Sequence, residues 1–305
     1  MSISFYVKNK KKFLGYEKVL NVEEALTILD KELNTYNTGN IDINDLLLSP
    51  VSNYQCLLIG EDKVSARGFE LSYDDKNKDY AVRIFTPSSR EDWLLALEYI
   101  KALAKKFGSE IINERGETFT IDNIDKFDYI NDILYGIEVI TSNMKSGKTD
   151  NYTIFGIDRV VSFNQEMLDE INNSDSPIDT FSNIVKEIQY LDAYSAHQQF
   201  YKNKADGKII GAYTLTQNLR TILPYKPSVE FENSDIVKNE DISLWNISLV
   251  TINGDENDPN SYQVAGNLNY DDFIKKLTIN KYKFIDASYI MVEPLSKEEI
   301  LDLLK

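Results

Sequence analysis

The stretch GFELSYDDKNKDYAVRIFTPSSREDWLLALEYIKALAKKFGSE, Gly68 to Glu110, decides the fold class. GFELSY and YAVRIF alternate apolar and polar residues at the period of a strand, and the turn-rich DDKNKD between them makes the pair a hairpin. If Tyr73 faces Tyr80 across that turn, Glu70 faces Arg83. The period then becomes helical, with Trp93, Leu97, Ile100, Ala104 and Phe107 on one face. Ser88 or Ser89 caps this helix and Glu91 and Asp92 occupy its positive first turn. Lys105 and Lys106 meet its negative end, and Gly108 terminates it.

The same signals recur outward from there. Asn21 and Glu24 form a capping box ahead of Val22, Leu26, Leu29 and Leu33, which predicts one helix through all four. Ser176 and Pro177 open a second helix with Phe181, Ile184 or Val185, Ile188 and Leu191 as its stripe. Ser296 and Glu299 box a last one. CLLIG reads as a buried strand, and Asp206-Gly207 as a hairpin turn. ISLWNISLVTI and KFIDASYIMVE have the composition of central strands. Helices and strands mix without a strict β-α-β beat, so the expected class is α+β, mostly antiparallel sheets with packed helices. Leu71–Glu114 and Leu249–Glu293 follow one order: strand, acidic turn, strand, helix, strand. That order allows two similar α+β halves, 1–148 and 149–305, the second more acidic, or one continuous domain.

Composition excludes several function classes. The 305 residues carry a net charge of -16, so no nucleic-acid partner is expected. Lys8, Lys10, Lys11 and Lys12 form the one basic block, read as a solvated turn. Ten carboxylates and a single lysine lie between Val229 and Asp272, a surface suited to a partner with a basic surface. The single cysteine, Cys56, excludes an internal disulfide and fits a reducing compartment. No apolar run reaches the ~18 residues of a membrane span, and the first residues lack a secretion signal. A cytoplasmic protein with no membrane partner is the expectation.

SNMKSGKTD, Ser142 to Asp150, falls one residue short of a phosphate-binding loop, with Ser142 where the first glycine belongs. Its flanks are reversed: the helical period of Phe127, Ile130, Leu134, Ile137 and Ile140 to Met144 precedes it, and the β-rich NYTIFGI follows. Gly147 is therefore expected to end a helix, with Lys145 and Lys148 beside outward carbonyls that repel a phosphate, and no nucleotide site is assigned. His197, the only histidine, lies in SAHQQF without a nucleophile motif, and zinc sites of Cys and His are excluded by count. NGDENDPNS offers Asp255, Asn257 and Asp258 to a hard cation but misses the EF-hand spacing, and a polar hairpin loop is the preferred reading. The most site-like group is Arg67, Glu70, Tyr73, Arg83 and Arg90, with Trp93 near, able to grip a carboxylate or phosphate. The alternative for it is a cross-strand Glu70–Arg83 ion pair.

Arg67–Ile111, RGFELSYDDKNKDYAVRIFTPSSREDWLLALEYIKALAKKFGSEI, and Tyr213–Pro227, YTLTQNLRTILPYKP, resemble the bacterial family catalogued as domain of unknown function 4299. The resemblance implies cytoplasmic-looking proteins of about this length and carries no activity, cofactor or catalytic residue.

The expected function is therefore an acidic, non-catalytic binding protein, comparable in charge with inhibitors and immunity proteins and needing no cofactor. Two alternatives stand beside it: an enzyme built on Arg67, Glu70, Tyr73 and Arg83, and a calcium-stabilised module.

Overall fold

The computed structural model describes every residue except Asn40, Lys148, Thr149 and Ala205. It divides into two compact units, Met1–Tyr190 and Leu191–Lys305. The first unit contains β1 (Ser2–Lys8), α1 (Val22–Leu26), β2 (Leu33–Thr35), α2 (Ile43–Leu48), β3 (Leu57–Glu61), β4 (Phe69–Asp74), β5 (Asp79–Phe85) and α3 (Arg90–Phe107). It continues with β6 (Ile111–Asn113), β7 (Thr118–Phe119), α4 (Tyr129–Lys145), β8 (Tyr152–Phe155), β9 (Val160–Phe163), α5 (Gln165–Asn173) and α6 (Pro177–Gln189). The second holds β10 (Tyr194–Ser195), β11 (Gln199–Lys202), β12 (Ile209–Thr216), β13 (Thr221–Pro224), β14 (Ile242–Ile252), β15 (Tyr262–Asn269), α7 (Tyr270–Lys276), β16 (Tyr282–Phe284), β17 (Tyr289–Val292) and α8 (Lys297–Leu303). The class is α+β. The units part after α6, whereas the sequence places its division at 148/149, between α4 and β8.

Seven strands of the first unit form one antiparallel sheet in the order β2-β3-β4-β5-β1-β6-β7. The register pairs Glu70 with Arg83 and Tyr73 with Tyr80, as the turn chemistry of DDKNKD requires. Alternation sends Phe5, Val7, Leu71, Val82 and Ile84 to one face, where they are buried. Helix α3 covers that face: Trp93 meets Phe5 edge-on at 6.4 Å and Phe107 stacks on Tyr80 at 4.9 Å. Both of its ends match the sequence signals, with Ser89 accepting from Asp92 N and Gly108 beyond Phe107. Its burial exceeds the expected stripe: Leu95, Ala96 and Leu103 are buried too, and α4 and α6 also pack on the helix.

Two local expectations fail, the first for a non-local reason. The helix begun at Asn21 stops at Leu26, although its capping box forms. Leu33 instead enters β2, pairs with Glu61 and is buried there, a contact the helix would forgo. KFIDASYIMVE is likewise not one strand. β16 and β17 form a hairpin whose turn is held by Asp286, which accepts from Ser288 N and Tyr289 N at 2.7 Å each.

In the second unit the sheets run β11-β12-β14-β15 and β10-β13-β17-β16, antiparallel except for β12–β14 and β10–β13. Tyr213, Ile247, Leu249, Phe273, Ile290 and Ile300 share one core, drawn from both sheets, α7 and α8. Asp206-Gly207 turns the β11–β12 hairpin. The order hairpin, helix, strand recurs in both units, but β6 joins the large sheet beside β1, while β16 joins the sheet that lacks β14 and β15. No helix among the described residues is long and apolar enough to cross a membrane.

Candidate functional site

The residues singled out in the first hairpin do not converge on one cavity. Glu70 and Arg83 point to the sheet face opposite α3 and pair with each other, and Arg83 Nε donates to Ser2 Oγ at 2.9 Å. Arg67 lies near them, 6% exposed, with its guanidinium carbon 4.7 Å from the Phe85 ring centroid. Its Nε donates to Phe155 O at 2.7 Å and its Nη1 to Pro87 O. Burial draws its pKa down to about 10, against the pull of Asp92. Tyr73 sits on the other face against Tyr80, and its hydroxyl accepts from Asn9 Nδ2 at 3.1 Å. Arg90 reaches α6 and pairs with Asp179 at 2.9 Å. Trp93 is fully buried and stacked on Phe127 at 5.3 Å. Arg67, Glu70 and Arg83 are thus brought together, while Tyr73, Arg90 and Trp93 are dispersed.

The remaining sequence candidates find local roles. Gly147, at φ +68°, follows the end of α4 and its N–H bonds Met144 O at 2.9 Å. A helix enters SNMKSGKTD and β8 leaves it, the reverse of a phosphate loop. Lys148 and Thr149 lie outside the described residues. Cys56 is half-buried rather than buried, and burial beside Glu70 pushes its thiol up, so it stays protonated at neutral pH. His197 is exposed and meets Tyr194 edge-on at 6.1 Å. Asp255 accepts from Asn257 N and Nδ2, and Asp258 from Asn260 N and Nδ2, so both carboxylates shape the β14–β15 loop. Among the described residues no group of three or more His, Cys, Asp or Glu is placed to hold a metal.

Two clusters escaped the sequence reading. The first is Asp92, fully buried in the first turn of α3. Its Oδ2 accepts from Arg67 N at 2.8 Å, Ser89 Oγ at 2.7 Å, and Ala66 N and Ser88 Oγ at 3.3 Å. Its Oδ1 accepts from Gly68 N at 2.9 Å. One carboxylate therefore ties the loop before β4 to the start of α3. Gly68 is confined there at φ +64°, where a Cβ would stand 2.4 Å from Ile59 O. Ser88-Ser89 ahead of Asp92 hinted at a cap, but the partners from 66–68 leave no trace in a linear pattern.

The second is in the other unit. The Gln198 side chain donates to Tyr213 OH at 2.6 Å and Ser228 O at 2.5 Å. It also accepts from Glu230 N at 3.0 Å and Asn233 Nδ2 at 3.1 Å. Tyr213 OH donates to Glu230 Oε1 at 3.2 Å, and Asn239 Oδ1 accepts from Val229 N at 2.7 Å. Burial pushes the Glu230 carboxyl up, partly offset by the Tyr213 hydroxyl. These bonds fix the segment 229–241 from beneath. Its outer side shows Phe231 at 76% and Ile236 at 78% exposure, among the exposed carboxylates of Glu232, Asp235, Glu240 and Asp241. No motif announces Gln198; it is one of two adjacent glutamines in a featureless run.

Across this whole framework one family match applies, to Domain of unknown function (DUF4299), over residues 2–303. The chain belongs to that family. No curated protein and no solved structure matches it. The matched DUF4299 region, 2–303, reaches into both units and contains the Asp92 knot and the Gln198-held segment.

Proposed function

We propose that this DUF4299 chain acts by binding a protein with a basic surface through segment 229–241, in the manner of an inhibitor or immunity protein. The observation that supports the reading is the pairing of a braced underside with an outward mix of apolar and acidic side chains. Such a surface loses little conformational freedom on docking, because Gln198 and Asn239 already hold the backbone. Ile236 and Phe231 supply apolar area, and the surrounding carboxylates steer a cationic partner and reject acidic ones. The enzyme reading on Arg67, Glu70, Tyr73 and Arg83 draws no comparable support. Arg67 donates to Phe155 O, Glu70 and Arg83 pair with each other, and Tyr73 stands on the opposite face of the sheet.

The test is a capture experiment with the intact chain, comparing wild type with Glu232→Lys/Asp235→Lys and with Glu170→Lys in the other unit as a charge control. The expected partner is basic, is retained by the control and is lost by the double variant. Raising the salt until the Debye length falls from ~10 Å to ~3 Å weakens it. Capture unchanged by the double variant refutes the proposal.

A further inference from the structure

One feature of the first unit lies outside both clusters. Beyond β1 the chain makes a tight excursion: Lys11 bridges Tyr16, Lys12 N bonds Gly15 O at 2.9 Å, and Glu17 N bonds Lys10 O at 2.9 Å. Its tip is apolar and bare, with Phe13 101% and Leu14 86% exposed. They are the most exposed large hydrophobic side chains among the described residues. The base is rigid. Asn9 is buried, and its Nδ2 donates to Glu17 O at 2.9 Å and to Tyr73 OH at 3.1 Å. Its N–H bonds Lys78 O at 2.8 Å, which ties the excursion to the β4–β5 turn.

Charge follows the same layout. Lys10, Lys11, Lys18 and Lys76 are exposed and enter no ion pair among the described residues. Lys8, Lys12 and Lys78 pair with Asp79, Glu17 and Asp75, and Asp74 is engaged in capping its own turn. This end of the sheet is therefore net positive in a chain whose total is -16.

We propose that the Lys10–Tyr16 tip is a docking device for an anionic lipid surface, with Phe13 and Leu14 entering the headgroup–acyl boundary and the lysines meeting phosphates. Convexity favours lipid over protein. A protein hot spot sits where its surroundings exclude water, whereas two apolar side chains on a projecting turn are shielded by nothing of their own. A bilayer accepts such a wedge without complementary shape, and lysine stems lie along the boundary while their ammonium groups stay wet. Each lysine near an anionic surface contributes about fivefold in partitioning, so a few of them with two apolar side chains give reversible attachment. The expectation of no membrane partner, drawn from the lack of a long apolar run, does not bear on this mode, which needs two residues rather than a span.

The test is co-sedimentation of the intact chain with vesicles of equimolar phosphatidylglycerol and phosphatidylcholine, and with phosphatidylcholine alone. Binding is expected only to the anionic vesicles. Phe13→Ser/Leu14→Ser should weaken it at least about tenfold, Lys10→Gln/Lys11→Gln about twentyfold or more, and Ile279→Ser, an exposed site in the other unit, should leave it unchanged. As a second readout, Phe13→Trp should shift its emission to the blue on the anionic vesicles. No binding to the anionic vesicles, binding that survives loss of Phe13 and Leu14, or attachment only to membranes carrying protein would each overturn the proposal.

Discussion

Replacing Asp92 by Asn isolates the contribution of one buried carboxylate to the first unit. If the Asn carbonyl takes the place of Oδ2, it keeps Arg67 N, Ala66 N, Ser88 Oγ and Ser89 Oγ as donors. Its amide then faces Gly68 N–H, which donates to Oδ1 in the native chain at 2.9 Å. The opposite orientation loses four donors, so the first prevails. A stranded buried N–H costs about 1–3 kcal/mol. Loss of the negative charge in the first turn of α3 costs roughly 1 kcal/mol more, and the kept bonds lose their charge assistance. Removing a buried charge relieves some desolvation, which offsets part of this. The net is about 3 kcal/mol, and a unit of this size should melt about 6–12 °C lower. Trp93 lies in the first unit and Trp245 in the second, so urea unfolding of Asp92→Asn in a Trp245→Phe background reports the relevant unit. Ser89→Ala, which removes one donor and the cap, should cost only about 1 kcal/mol. A change for Asp92→Asn below about 0.5 kcal/mol, or smaller than that for Ser89→Ala, refutes the claim that Asp92 locks loop 66–68 to α3.

Two further outcomes are expected. Arg83→Met removes an ion pair whose arginine side chain is 45% exposed, so the stability change should stay within about 1 kcal/mol by urea unfolding; a loss of several would mean the outer sheet face holds more than a surface pair. Glu230 has a folded pKa raised above its ordinary 4.5 by burial, so the folded state binds the proton more tightly than the unfolded state does. The second unit should therefore lose stability as pH rises from about 4.5 through the folded value, and Glu230→Gln should flatten that slope. Calorimetry at about pH 5 and about pH 8 checks it, and parallel slopes for wild type and variant would count against the burial argument.

How much was legible in the sequence depended on how local the cause was. The hairpin of β4 and β5, its Glu70–Arg83 register, both ends of α3, and the box at Ser296 and Glu299 were all readable. So was the helix that ends at Gly147. Each is set by residues a few positions apart, through turn chemistry, capping or periodicity. The fate of Leu33 was not readable, because sheet pairing with Glu61 outweighed the helical period begun at Asn21. Nor was the dispersal of Tyr73, Arg90 and Trp93 among separate partners. Alternation places a side chain on a face but does not name what faces it.

The sequence by itself determined the α+β class, the capped helices, the acid-rich stretch from Val229 to Asp272 and the reversed surroundings of Gly147. Only the tertiary structure decided that Asp92 binds the loop before β4, that Gln198 braces segment 229–241, and that Phe13 and Leu14 stand bare above a hydrogen-bonded base. The physical reason is distance along the chain. Capping and periodicity act within a few residues, whereas a buried acceptor takes whichever donors the fold brings within about 3 Å, and exposure is fixed by what the rest of the chain leaves uncovered.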